Sequence, residues 1–239
     1  MGRPERAMVL AAGIGKRMRP LTAMTPKPLI EVQGRALIDY GLDRLCAAGV
    51  REAVVNVHYL ADLVEVHMAR RDAPAITISD ERDELLDTGG GIVRGLPALG
   101  DQPFYLINSD SFWIEGVKPN LELLADYFDP ARMDALLLLA STVQAVGYAG
   151  AGDFEMDTAG HLVRRRERAV APFAYAGAAI LSPRLFQDAP AGAFSLNRLF
   201  DQAIADKRLH GVRMEGLWLH VGTPPAIRAA ERAITDSAA

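Results

Sequence analysis

Lys16 and Arg17 directly follow two glycines in the run Leu10-Ala11-Ala12-Gly13-Ile14-Gly15-Lys16-Arg17-Met18-Arg19-Pro20-Leu21-Thr22. Glycines let backbone N–H groups approach a phosphate closely, and the two cations add mobile positive charge. A dinucleotide fingerprint needs a third glycine where Met18 stands, and a P-loop needs Gly-Lys followed by Ser or Thr, so neither standard phosphate motif fits. Taken alone, two glycines after a strand are more often an ordinary turn. A third cation changes the reading: Lys27 is held between Pro26 and Pro28. Two prolines restrict the backbone and limit the entropy lost when the ammonium is fixed beside a ligand.

These residues need elements to hold them. Met8 to Ala12 is a short apolar run that reads as a first strand, and after the loop Ala36 to Ala48 repeats apolar side chains at helical spacing, closing on Gly49. Ala53 to Val57 is β-rich, Leu60 to Arg70 helical, Ala75 to Ser79 β-like, and Gly91 to Leu96 opens another helix before a buried strand at Phe104 to Asn108. This alternation predicts an α/β fold with a mostly parallel central sheet flanked by helices. Ligands of such sheets gather at the C-terminal ends of the strands. The loop after Ala12 and Asp110, just past Asn108, should therefore share one rim.

Later in the chain the pattern is more β-rich. Ala135 to Ala140 and Tyr175 to Leu181 read as strands, and Asp153 to Val163 as a hairpin around Ala159 and Gly160. Leu196 to Asp206 is helical, Leu209 to His220 predicts a hairpin turning at Glu215 and Gly216, and Pro225 to Ile234 starts a last helix behind a favoured early proline.

With 239 residues, half of them apolar, the chain can bury one large α/β core. Its net charge of −4 offers no broad attraction for nucleic acid or an anionic membrane, so an anionic ligand must meet local positive charge. The single cysteine, Cys46, rules out an intrachain disulfide and a thiolate metal cluster, and on helical spacing it belongs to the apolar face of the first helix. The apolar run at Met8 to Ala12 is far below secretory or membrane-spanning length, and Arg6 stands where an acylation signal wants Ser or Thr; cytoplasm is the expected location.

Leu10-Ala-Ala-Gly-x-Gly-x-Arg-Met-x-Pro-Leu-Thr followed by Pro26-Lys-Pro-Leu resembles the signature of sugar-phosphate nucleotidyltransferases. Asn108-Ser109-Asp110 resembles that family's metal-binding aspartate at a strand end, and Trp218-Leu-His-Val-Gly-Thr-Pro224 its C-terminal metal motif. The resemblance implies a Rossmann-like domain over 1–239, with a nucleotide-binding part over roughly 1–115. A small β-rich part that binds the sugar phosphate, with the C-terminal helices, would fill 116–239. It implies in-line attack by a sugar 1-phosphate oxygen on the α-phosphorus of a nucleoside triphosphate, releasing pyrophosphate. Positioning and cations do this work without a covalent enzyme intermediate.

Carried over position by position, Leu10, Ala11, Ala12, Gly13, Gly15 and Lys16 should hold the nucleotide, Arg17 its distal phosphates and Lys27 the reacting phosphates. Asp110 should bind Mg²⁺, with Mn²⁺ as the alternative ion. Asp87-Thr88-Gly89-Gly90-Gly91 is expected as a flexible turn where Thr88 and the Gly89 N–H read the base edge, or where Thr88 caps a helix. Asn108, Gly147, Glu167 and Arg168, with Lys27, fall on the sugar-phosphate side, although Arg164 to Arg168 also reads as a solvated basic run. One departure stands out: His220 occupies the place of a second metal-binding aspartate. Imidazole suits Mg²⁺ poorly, so His220 is expected to act through a metal-bound water or on a phosphate.

Val55-Asn-Val-His-Tyr-Leu60 and Leu86-Asp-Thr-Gly-Gly-Gly-Ile92 are most similar to N-acetylmuramate 1-phosphate uridylyltransferases of peptidoglycan recycling, which implies UTP as donor. No hexapeptide-repeat segment of the bifunctional uridylyltransferases is expected. Mannose or heptose 1-phosphate guanylyltransferases are the nearest alternative. A non-catalytic sugar-nucleotide-binding regulatory module is the alternative of another class, opposed by the intact Arg17, Lys27 and Asp110. A monomer and a small homo-oligomer are equally compatible. Trp218 reads as packing beside the site, and His58, near Asn56 at a strand end, as a loop hydrogen-bonding group.

Overall fold

The computed structural model describes residues 2–238; Met1 and Ala239, the outer limits of the single-domain expectation, lie outside the described residues. In chain order the elements are β1 (Arg6–Leu10), β2 (Glu31–Val32), β3 (Arg35–Ala36), α1 (Leu37–Ala47), β4 (Glu52–Val57), α2 (Ala61–Met68), β5 (Ala75–Asp80), α3 (Asp87–Leu99) and β6 (Phe104–Asn108). There follow β7 (Ser111–Ile114), α4 (Asn120–Tyr127), β8 (Ala135–Ser141), β9 (Phe154–Met156), β10 (Leu162–Arg164), β11 (Phe173–Leu181), α5 (Asn197–Ala205), β12 (Leu209–Arg213), β13 (Leu217–His220) and α6 (Pro224–Ser237).

One sheet runs β12-β8-β11-β6-β1-β4-β5, with the β9–β10 hairpin set beside the start of β11. Of its seven main strands β11 alone runs against its neighbours. The expected mostly parallel α/β sheet is present. Strands buried on both faces explain its apolar runs: Ala7 and Val9 point into one core with Ile38, Leu42 and Val55, while Met8, between them, enters the other with Ile92 and Phe200. α1 stops where the sequence places its end. Gly49 at φ 91 donates to Cys46 O at 3.0 Å, and Val50 donates to Leu45 O at 3.0 Å, the paired bonds of a left-handed glycine cap.

Three expectations need correction. Leu209 to His220 is not a hairpin: β12 pairs in parallel with β8, whereas β13 leaves the sheet and pairs with β7 in a separate ribbon. α3 begins at Asp87, so Gly89, Gly90 and Gly91 are buried helical residues and not a flexible turn. Cys46 is exposed, because the buried stripe of α1 is Leu37, Ile38, Gly41, Leu42 and Leu45, and the next residue turns off it.

The chain leaves β1 for β4 and β5 on one side and returns to β6 on the other. The order therefore reverses at β1, and the carboxyl ends of β1 and β6 flank the crevice such a reversal opens. A third, smaller core of Met18, Ile30, Val32, Leu37, Phe112, Leu219 and Val221 lies under this rim. It ties the loop after β1 to the β7–β13 ribbon.

Candidate active site

The rim holds a cleft of about 550 Å³. Leu10, Ala11, Ala12, Gly13, Gly15, Lys16, Arg17 and Lys27 line one side, Asn108, Ser109 and Asp110 the floor, and Leu85, Asp87 and Thr88 the opposite wall.

The glycine loop is folded onto its own motif. Gly15 adopts φ 68, and a Cβ there would lie 2.8 Å from Thr22 Cγ2 and 3.1 Å from Lys27 Cβ, so only glycine fits. Thr22 Oγ1 donates to the Gly15 carbonyl at 2.9 Å, and Tyr59 Oη donates to the Thr22 carbonyl at 2.8 Å. Lys16 and Arg17 are exposed on the cleft wall. The Pro26 and Pro28 bracket is a single 3-10 turn in which Leu29 N–H donates to Pro26 O at 2.9 Å. That turn leaves the Lys27 side chain only 13 % exposed and pairs its ammonium directly with the Asp110 carboxylate.

Asp110 sits in the two-residue turn between β6 and β7. Burial opposes its ionisation, but the Lys27 ammonium and the neighbouring His220 hold the carboxyl below the usual aspartate value. Register brings His220 there: it lies opposite Ser111 in the antiparallel ladder of β7 and β13. Its imidazole is packed edge-on to Tyr148 at 5.9 Å and against Trp218 at 5.3 Å. Desolvation pushes its pKa down, Asp110 opposes this, and Lys27 and Arg17 reinforce it. The buried Nδ1 has no partner. Trp218 is a packing residue whose Nε1–H donates to Ser111 Oγ at 2.5 Å, and Ser111 Oγ donates on to Ala176 O at 2.8 Å.

Among the described residues no three His, Cys, Asp or Glu side chains stand close enough to hold a metal ion unaided. A site with one protein carboxylate, completed by substrate phosphates, is nevertheless how Mg²⁺ is commonly held. Asp110 fits that pattern, and the orphaned His220 Nδ1 leaves the imidazole free of any competing hydrogen bond at that atom.

The wall opposite the glycine loop differs from expectation. The Gly89 N–H donates to Phe194 O at 2.8 Å, and a Cβ at Gly89 would lie 2.2 Å from the Phe194 ring, so its amide is turned to the protein and not to a base edge. Thr88 lines the cleft, but it does not cap α3; its Oγ1 accepts from Leu196 N–H at 2.9 Å. Gly147 lies against the backbone of His220, where a Cβ would meet the His220 carbonyl at 2.5 Å. Glu167 and Arg168 are exposed in the segment after β10 and do not line the cleft. Fully buried Glu81 was not singled out by its residue pattern: Asp80-Glu81-Arg82-Asp83-Glu84 has the composition of a solvated acidic run.

The family model described as nucleotidyl transferase matches residues 6–237. An N-acetylmuramate alpha-1-phosphate uridylyltransferase of Caulobacter vibrioides is 49 % identical, covering 98 % of this chain and 98 % of its own. One of Neisseria meningitidis is 34 % identical over 95 % of this chain and 96 % of its own. The crystal structure of a UDP-glucose pyrophosphorylase complexed with UDP-glucose superposes with a TM-score of 0.80 at 18 % identity, covering 98 % of this chain and 99 % of that one, a likeness of fold. The glycine loop thus lies within a family match that runs through both halves of the sheet: this chain belongs to the nucleotidyl transferase family.

Proposed function

We propose that the chain transfers the uridylyl group of UTP to N-acetylmuramate 1-phosphate, giving UDP-N-acetylmuramate and pyrophosphate, as a step of peptidoglycan recycling. The near-full-length similarity to the Caulobacter vibrioides protein carries this assignment of donor and acceptor. The acceptor phosphate is already an anion, so its oxygen needs no general base. The Pα–O bond to it forms as the bond to the departing pyrophosphate breaks. What the protein must provide is alignment of two polyanions and relief of their repulsion.

In this reading the backbone from Leu10 to Gly15 holds the nucleotide, and exposed Lys16 and Arg17 take the outgoing phosphates. Lys27, packed against Gly15 and paired with Asp110, stands where donor and acceptor phosphates meet. Asp110, with His220 beside it, would hold a divalent cation, Mg²⁺ or Mn²⁺, whose chemistry is to neutralise phosphate charge. Of the cleft residues Thr88 faces the base and Asn108 the acceptor, while Gly147 acts on the acceptor side only by supporting the His220 backbone.

A pyrophosphate-release assay over four nucleoside triphosphates and a panel of sugar 1-phosphates tests the proposal. Turnover should be greatest with UTP and N-acetylmuramate 1-phosphate. Preference for GTP with mannose or heptose 1-phosphate would replace the assignment, and no release with any pair would favour a binding module.

A further inference from the structure

We propose that Glu81 is a positioning residue that sets the width of the nucleotide cleft through a buried chain of hydrogen bonds that converge on its carboxylate from both walls. Ala11 N–H, at the root of the glycine loop, donates to Asn56 Oδ1 at 2.7 Å. Asn56 Nδ2 in turn donates to Glu81 Oε1 at 2.7 Å. From the other wall Leu86 N–H, at the start of α3, donates to Glu81 Oε2 at 3.1 Å. Asn56 is 2 % exposed and Glu81 0 %. Ala11 and Asn56 line one side of the cleft, and Leu85 and Asp87, which flank Leu86, line the other.

Glu81 is itself fixed. Its N–H donates to Val57 O at 2.8 Å, its carbonyl accepts from Glu84 N–H at 3.1 Å, and His58 Nδ1 lies 2.7 Å from the same oxygen. Burying a carboxylate costs desolvation that a neutral side chain avoids, in part offset here by the positive end of α3. A carboxylate does one thing a carboxamide cannot: it accepts at both oxygens. Glutamine at this position would turn its NH₂ against either the Asn56 amide or the Leu86 N–H and open one link. α3 also makes room for the chain, since a Cβ at Gly91 would lie 2.7 Å from both Asn56 Nδ2 and Glu81 Oε1.

The direction of the bonds provides the test, and the inference rests on the cleft being the nucleotide site. Glu81→Gln breaks the link to one wall. Asn56→Asp sets two carboxylates against each other. The Asn56→Asp/Glu81→Gln double variant reverses the central bond and restores all three: one new carboxylate oxygen accepts from Ala11, the other from the new amide, and the amide oxygen accepts from Leu86. At a pH high enough to ionise both carboxylates of the Asn56→Asp variant, each single variant should raise the KM for UTP about tenfold, with kcat at saturating UTP within about threefold. The double variant should return KM to within about threefold of the parent protein. Leu124→Ala, in the fully buried face of α4 away from the cleft, serves as a destabilised control whose KM should not move.

Amide hydrogen exchange at Ala11 and Leu86 needs no substrate: protection should fall in each single variant and return in the double. If the parent protein fails to turn over UTP, the functional assignment falls while exchange still decides the role of Glu81. If a single variant folds poorly, recovery of folding in the double variant reads the same rescue. Parental KM and protection in both single variants, or a double variant no better than the worse single one, would overturn the proposal.

Discussion

Lys27 and Asp110 come from loops 83 residues apart in the chain, yet they form one ion pair on the cleft floor. If that ammonium acts mainly as the phosphates are brought together, Lys27→Ala should lower kcat by about 10²- to 10³-fold while weakening UTP binding far less. Equilibrium binding beside single-turnover kinetics checks this, and an unchanged turnover number would remove Lys27 from the mechanism. His220 poses a second question at this scale. His220→Asp should lower the Mg²⁺ or Mn²⁺ concentration needed for half-maximal activity, because an oxygen donor replaces a nitrogen the harder ion disfavours. Metal titrations of the two proteins settle it, and superimposable curves would count against a role at the metal. That the glycines, Arg17, Lys27 and Asp110 would meet was legible because their types and spacing resemble a family signature, and the fold brings them to one cleft. Glu81 was not, because burial, which turns an acidic side chain into a structural acceptor, is a property of the fold and leaves no mark on a charged pentapeptide.

α3 carries three consecutive glycines, and each meets a different neighbour: Phe194 at Gly89, the Gly192 carbonyl at Gly90, and the Asn56–Glu81 pair at Gly91. Their role is close approach of the helix. Gly91→Ala should cost about 1–3 kcal/mol of stability through overpacking, despite alanine's better helix propensity. Chemical denaturation of the variant measures this, and a gain in stability would show that the pair moves aside cheaply. Regular elements with strong local periodicity, such as α1 with its Gly49 cap, were readable within a residue or so. β7 was not, since a two-residue turn places Ser111-Phe112-Trp113-Ile114 directly after Asp110 with no glycine or proline to mark a new strand. The misread hairpin has a related cause. β12 and β13 each have strand character and flank a Glu215-Gly216 turn, but their partners, β8 and β7, are chosen by tertiary packing. The same unseen ribbon carries His220 to Asp110.

Across the whole molecule, the two halves of the chain share one sheet, and a histidine pair, buried His210 against half-buried His161, lies where the β9–β10 hairpin meets β12. His210 is 1 % exposed with neither ring nitrogen partnered, and its ring lies 4.6 Å from that of His161. Burial first, then His161 and Arg132, lower its pKa, opposed by the Arg208 backbone and Asp157. A histidine depressed in the folded state favours the unfolded chain once protonated. Its contribution is therefore intact above the ordinary histidine pKa of about 6.5 and is lost as pH falls through that value. His210→Phe should flatten the fall in denaturation midpoint between about pH 7 and pH 5, and an unaltered slope would exclude His210 as its source.

The order of the sheet also dictates when the cleft can exist. β1 lies between β4 and β6, and the far edge of β6 belongs to β11, which begins at Phe173. A chain emerging from the ribosome therefore presents its glycine loop long before the strand beside it is secured, and until β11 arrives β6 offers an open, apolar edge to other chains. Nascent-chain length, more than any local propensity of the glycine loop, should decide when this protein first acquires affinity for a nucleotide.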